Sequence, residues 1–291
     1  MNDRHPSRNA NLEHAQNMDA ATVAGFGDEW SRFSFAEEDG RELDVIFAQY
    51  FSIFPWQSLP AAAVGADIGA GSGRWAARVA PRVGKLHVVD ASADALAVAR
   101  RNLASASNVE FHHASVDQIP LASGSLDFAY SLGVLHHVPD TLSALRSSVS
   151  LLKVGAPFLL YLYYALDGRP LHYRLMFHAA NGLRRGVSLL PHGLRFGVSQ
   201  VLAASVYWPL ARGARAAAAL GADVSGWPLS YYRDRSFYVM RNDALDRFGT
   251  RLEQRFTREQ IGTMMQDAGL ERVVFRDGAP YWCAVGFRRA P

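Results

Sequence analysis

Lysine and cysteine are almost missing from this chain. Of 30 basic residues among 291, only Lys85 and Lys153 are lysines, a bias that reads as compositional beside the abundant alanine. The one cysteine, Cys283, excludes an internal disulfide and any metal cluster built from thiols. No apolar run approaches the ~20 residues a membrane span needs; the longest is Phe158 to Leu166. The start, Met-Asn-Asp-Arg-His-Pro-Ser-Arg, carries no apolar stretch of the secretory-signal kind, so a cytoplasmic location is the expectation. A formal charge of +3 leaves no bulk excess that calls for nucleic acid, and no separate aromatic-basic platform stands out. One further absence is local. Between Gly168 and Leu220 there are seven arginines and three histidines but no aspartate or glutamate.

What is present is enough to build a large core, since 49% of the residues are apolar. Short β-like runs near 62–68, 85–90, 109–113, 126–131 and 157–164 alternate with helical patterns near 73–81, 93–104 and 141–152. That alternation predicts a Rossmann-like α/β fold, a mainly parallel sheet with helices on both faces. Thr257-Arg-Glu-Gln260 reads as a capping box opening a helix that Gly269 closes. Two last β-like runs, 271–276 and 281–288, suit an antiparallel closing pair.

The most informative stretch is Asp67-Ile-Gly-Ala-Gly-Ser-Gly73, after one apolar run and before a helix-like segment. Strand, glycine turn, helix brings backbone N–H groups and a positive helix end against a ligand. The next apolar run, Leu86 to Val89, ends on Asp90, where an α/β nucleotide site grips ribose hydroxyls. The glycines run G-x-G-x-G rather than the dinucleotide G-x-G-x-x-G. Asp67 before them would repel a pyrophosphate yet attract an ammonium.

With Asp90 and the later Ser131-Leu-Gly-Val-Leu-His-His-Val-Pro-Asp140, this segment resembles the class I S-adenosylmethionine-dependent methyltransferases, of the type 11-like kind. The resemblance covers roughly residues 60–165, and the closing elements near 257–288 fit it. It implies S-adenosyl-L-methionine as cofactor and a transferase activity. The cofactor contacts it points to are Asp67, Gly69, Ala70, Gly71, Gly73, Asp90, Ala91, Ser131, Leu132 and His136. For adenine, relatives often carry Gly-Asp where this chain has Ala114-Ser115, so Ser115, Val116 or Asp117 takes that contact. His136 is the candidate general base, against a role in orienting the loop or lining the cofactor. No metal is expected, because the histidines have no carboxylate at ligand spacing and no thiols. A nicotinamide dehydrogenase, or a non-catalytic S-adenosylmethionine-binding protein at a membrane, are the rival readings.

Four spans follow: a tail over 1–24, lid helices and cofactor core over 25–165, a basic helical insertion over 166–235 after the fifth strand, and completion of the core over 236–291. Breaks at Gly186, Pro191 and Trp208-Pro209 predict two or three short helices in the insertion. It reads as a lid for an anionic acceptor, as a surface resting on anionic lipid, or as a packing or homodimer element. Trp30 belongs to an N-terminal segment that would fold over the cofactor or dock on the core. Acceptor candidates are Trp30, Tyr163, Tyr164, His172, Arg174, Tyr232 and Arg235, with Arg169, Arg184 and Arg185 as further anion binders. The acceptor is expected to be a small molecule or a lipid- or sugar-linked one.

Overall fold

The computed structural model describes residues 17–35, 40–166, 171–278 and 280–290, with His172 described in its backbone alone. Seven strands form one sheet in the order β3-β2-β1-β4-β5-β7-β6. They are β1 (Val64–Ile68), β2 (Lys85–Asp90), β3 (Val109–His113), β4 (Phe128–Leu132), β5 (Pro157–Tyr161), β6 (Leu270–Phe275) and β7 (Cys283–Arg288). The first five pair in parallel, and β7 enters antiparallel to both β5 and β6. The chain order reverses at β1 and β4, which puts the switch point at the carboxyl ends of those two strands.

Because parallel strands are buried on both faces, they read as near-continuous apolar runs. One face packs Leu86, Val88, Phe128 and Tyr130 under the aromatic cluster Phe47, Phe51 and Phe54. The other packs Ala66, Ile68, Leu126 and Leu160 against α5 (Thr141–Ser150) and α10 (Arg258–Asp267). The capping box at the start of α10 is formed as read, with Thr257 Oγ1 accepting from Gln260 N–H and Gln260 Oε1 from Thr257 N–H.

Two sequence boundaries move. Helix α1 spans Ala20–Arg32, starting inside the stretch read as tail, and Asp19 caps it by accepting from Thr22 N–H. Residues 1–16 of that tail lie outside the described residues. The helix after the glycine loop is shorter than 73–81, with α3 only Ala76–Val79 and a 3-10 turn over Ala80–Arg82. Helix α2 is Gly40–Tyr50 and α4 is Ala93–Asn102.

Among its described residues the insertion holds three α-helices, within the two or three expected, though they are longer and two of the breaks fall differently. Helix α6 (Leu171–Val187) runs straight through Gly186, and α7 (His192–Leu202) begins after Pro191. Trp208-Pro209 does not end a helix, because a π turn over Ala203–Tyr207 leads directly into α8 (Trp208–Ala219). Widening the turn relieves the carbonyl that proline cannot satisfy.

Three of the insertion's arginines meet main-chain carbonyls. Arg184 Nη1 donates to Thr250 O and Arg195 Nη1 to Gly249 O, both at the end of α9 (Phe237–Gly249). Arg212 donates to Arg233 O and Arg235 O just before that helix. Arg184 and Arg195 are buried, and burial lowers both guanidinium pKa values. Reading Arg184 as an anion binder is therefore corrected: it satisfies carbonyls a helix terminus leaves open. Arg185 is exposed, and Arg169 lies outside the described residues. Arg195→Met should destabilise the protein by about 1–3 kcal/mol, the cost of a buried group left unpaired. Arg185→Ala should stay within about 0.5 kcal/mol. Urea denaturation of the two variants measures the contrast, and equal stabilities would contradict the carbonyl role of Arg195.

Candidate active site

One cavity of about 950 Å³ opens at the carboxyl edge of the sheet, between the core and the insertion. Its core-side wall includes Gly69, Asp90, Ala91, Ser115, Val116 and Leu132. The far wall comes from Tyr163, Tyr164, Phe177, Tyr207, Tyr232 and their neighbours.

The glycine loop is held from below. Gly69 and Ala70 N–H donate to Val89 O, and Gly71 N–H donates to Asp90 Oδ2 at 2.8 Å. Asp90 Oδ1 accepts from Ser92 N–H at 2.8 Å. A single carboxylate at the tip of β2 thus fixes both the loop and the start of α4. Burial raises its pKa, partly offset by the N–H groups of Ser92 and Gly71. Gly71 has φ 56°, and a Cβ on it would meet the Trp30 indole at 2.7 Å. The glycine is needed for two local reasons, its left-handed backbone and the ring laid on it.

Asp67 sits beneath that loop, buried and off the cavity lining, with Oδ2 lacking a hydrogen-bond partner. Burial pushes its carboxyl up to about 8, with the neighbouring Tyr130 hydroxyl opposing and the Asp90 charge adding. Ser115 Oγ is also buried without a partner, on the cavity wall. Arg74 lines the cavity with its guanidinium against the Trp30, Phe35 and Trp75 rings, 4.7–5.0 Å from their centroids. Among the described residues it donates no side-chain hydrogen bond.

Several expected contacts lie elsewhere. Ser131 is buried and donates to Ile68 O, tying β4 to β1. Asp117 accepts from Asn17 N–H, and Asn17 also exchanges hydrogen bonds with the Asp140 backbone, strapping the N-terminal segment across the two loops. Neither lines the cavity; nor do Ala70, Gly71, Gly73 or Arg174, which is exposed. Trp30, Tyr163, Tyr164, Tyr232 and Arg235 do.

The histidine pair resolves into two different groups. His136 is fully buried off the lining, its ring between those of His137 and Tyr163 at 4.0 and 3.9 Å, with both nitrogens unpartnered. His137 faces the cavity, and its Nδ1 lies 2.7 Å from Leu252 O. A carbonyl only accepts, so Nδ1 carries the proton and the buried Nε2, which has no partner, offers its lone pair. Burial lowers the pKa of both rings. Of the two imidazoles, His137 lines the cavity and His136 does not, so the structure favours His137 over the expected His136.

Three acids in the cavity wall carried no local signal in the sequence. Glu29 of α1 accepts from Asn242 Nδ2 at 2.7 Å, and burial, with the Asp246 charge, raises its pKa strongly. Asp243 is raised to about 6 by burial, with the Tyr232 hydroxyl bonded to it. Asp246 accepts from the Tyr163 hydroxyl. Asp246 lies one turn of α9 beyond the adjacent Asn242 and Asp243, which brings the three to one side of the helix.

The expectation about metal needs one correction of fact. Strand pairing sets His87 opposite Glu110, and His112 lies two residues along the same strand, so a carboxylate does stand among histidines. His87 Nδ1 and His112 Nε2 are 2.8 Å apart, and Lys85 Nζ sits 2.6 Å from Glu110. The two rings satisfy each other while lysine holds the carboxylate, away from the cavity lining.

Residues 66–155 match a family model described as a methyltransferase domain. A ubiquinone biosynthesis O-methyltransferase of Xanthomonas campestris is 31% identical over 138 residues, 47% of this chain and 55% of that protein. The chain thus spans about half the length of the curated relatives it matches. Among solved structures, the CurJ carbon methyltransferase superposes with a TM-score of 0.50 at 13% identity, over 84% of this chain and 53% of that one. A Bacillus halodurans protein described as a putative methyltransferase gives 0.48 at 17% identity, over 79% and 71%. The segment 66–155 is therefore similar in sequence to a methyltransferase domain, and the fold around it is of the same kind.

Proposed function

We propose that this chain is an S-adenosylmethionine-dependent methyltransferase whose acceptor is a largely apolar, ring-bearing small molecule, methylated on oxygen. The observation that carries the reading is one continuous cavity. It joins the glycine loop and Asp90 to a compartment walled by tyrosines and by His137.

The residues present fit the cofactor. Asp90 offers its remaining lone pairs to ribose hydroxyls while it holds Gly71, since an ionised carboxylate accepts about four hydrogen bonds. The partnerless Ser115 Oγ, with the Val116 backbone, suits the adenine end. Arg74, without a carboxylate partner among the described residues, suits the methionyl carboxylate, whereas Asp67, beneath the loop and off the lining, holds no direct place for the ammonium. When bound, S-adenosylmethionine supplies an electrophilic methyl on a sulfonium. The chain's task is to orient the acceptor, exclude water and take a proton. Trp30 and α1 cover the cofactor half, and the insertion covers the acceptor half. His137 Nε2 takes the proton of an acceptor hydroxyl, its tautomer fixed by Leu252 O.

The acceptor class follows from the wall. The insertion contributes Tyr173, Phe177 and Tyr207 there, while its buried arginines are bonded to carbonyls, so an anionic acceptor is not favoured. Arg247 and Arg255 line the cavity, but both are paired to Glu253 at 2.8 Å. The Xanthomonas relative, named for O-methylation in ubiquinone biosynthesis, points to the same kind of acceptor. A nicotinamide dehydrogenase has neither the glycine spacing nor the family match in its favour. A cytoplasmic location with peripheral membrane contact belongs to this reading. Among the described residues no helix is long and apolar enough to cross a membrane.

Three measurements test the reading. Asp90→Ala should weaken S-adenosylhomocysteine binding about tenfold or more, since it frees the glycine loop and removes charge-assisted hydrogen bonds of ~1.5–3 kcal/mol. Calorimetry that finds an unchanged Kd in a folded variant would take Asp90 out of the site. His137→Ala should cut kcat by about 10²–10⁴ with cofactor Kd unchanged within a few fold. Because burial depresses the His137 pKa, the acid limb of the wild-type kcat/KM profile should lie below the ordinary histidine range. A profile flat through that limb would remove the base.

Asp67 gives a pH signature of unusual sign. Its folded pKa, about 8, lies above the unfolded value, so the native state holds a proton that the unfolded state has released. Between about pH 4 and 8 wild-type stability should therefore fall relative to Asp67→Asn, with a slope approaching ~1.4 kcal/mol per pH unit, and level off above. Chemical denaturation of both proteins at pH 5 and 8.5 measures it. A gap between them that does not widen at the higher pH would contradict the buried, unpaired carboxyl.

A further inference from the structure

The cavity does not close where it meets the insertion. Met176 on α6, Val206 in the π turn, Leu210 on α8 and Trp227 in the loop beyond line it, yet each is 39–47% exposed. Four large apolar side chains that are both cavity wall and outer surface form the rim of an opening.

The surface around that rim is apolar too. Helix α6 turns Leu171, Leu175 and Leu183 to solvent. On α7 the exposed apolar residues Leu194 and Val201 lie seven apart, which keeps them near one side, and Trp208 is exposed at the start of α8 beyond the π turn. Leu175 and Val201 are 61% and 65% exposed. Exposed apolar side chains of this number on α6, α7 and α8 mark an interaction face.

Charge selects the occupant. The span from 168 to 220 has no acidic residue, and its exposed charges include Arg174 and Arg185 on α6. A second copy docked on this face through a two-fold axis would bring the same acid-free surface against itself. A bilayer with anionic headgroups complements it, with apolar side chains in the acyl boundary and arginines reaching to phosphates.

We propose that the α6–α8 face docks on anionic phospholipid bilayers and that the cavity opens through it, so a lipophilic acceptor passes from the membrane to the tyrosine-lined compartment without crossing water. The passage rests on the acceptor reading above; the docking does not.

The test uses the full chain and vesicles of phosphatidylcholine with or without 30% phosphatidylglycerol, read by flotation. The variant carries Leu175→Glu, Val201→Glu and Trp208→Glu, three exposed positions off the cavity lining. Wild type should float with the anionic vesicles, and the triple variant should lose about tenfold or more of that binding. Its thermal melt and its calorimetric affinity for S-adenosylhomocysteine should match wild type. Absence of wild-type flotation, or flotation equal in the triple variant, overturns the proposal. So does sedimentation that shows a dimer abolished by the three substitutions while neither protein floats. Loss of S-adenosylhomocysteine binding in wild type would instead strike the methyltransferase reading and leave the docking result standing.

Discussion

Parallel strands can be joined only by crossovers, and that constraint organises this molecule. The carboxyl ends of β1 to β5 face one edge, so the loops that leave them, the glycine turn included, emerge on the same side. The insertion after β5 emerges there as well, over the switch point between β1 and β4. Cofactor half and acceptor half are adjacent because the topology leaves no other place for either. What differs between the halves is how they are fixed. Asp90 ties the cofactor half together through two backbone N–H groups, whereas the acceptor half hangs on α9.

Helix α9 is where the charges of the insertion go. Arg184 and Arg195 bind the carbonyls at its end, and Arg212 binds those before its start. A guanidinium with several donors in a fixed fork suits this work better than an ammonium, and the chain has almost no lysine to offer. The insertion thus turns three of its arginines toward its own protein, while Arg174 and Arg185 stay exposed beside the apolar residues of α6. Meanwhile α9 turns acids and an amide inward. The cavity is richer in carboxylates than a sequence segment without acids would lead one to expect.

What could be read from the sequence was what is local in it. The glycine loop, Asp90 at the end of its apolar run, each strand and helix of the βαβ alternation and the capping box at Thr257 are signalled by residues close together, and their spacing carries their meaning. Glu29, Asp243 and Asp246 come from helices more than two hundred residues apart, and nothing nearby marks them. The role of Arg184 was hidden for a different reason: its partner is a main-chain carbonyl, which every residue has. His136 and His137 are adjacent and alike in composition. Folding alone separates a packed ring from one on the cavity lining, whose tautomer is set by the Leu252 carbonyl from 115 residues away. Glu110 illustrates the same limit, since strand pairing rather than spacing set it beside His87.

Helix α1 touches both halves at neighbouring positions. Trp30 lies on the glycine loop, and Glu29 is bonded to Asn242 of α9. Phe33, one turn on, belongs to a buried cluster with Val239 and Leu245 of α9. The cofactor-binding core is consequently not a transplantable module. Grafted without α1, it would leave the glycine loop uncovered and α9 short of its buried partner. Recombination between relatives that exchanges the segment before β1 would therefore have to exchange α9 with it.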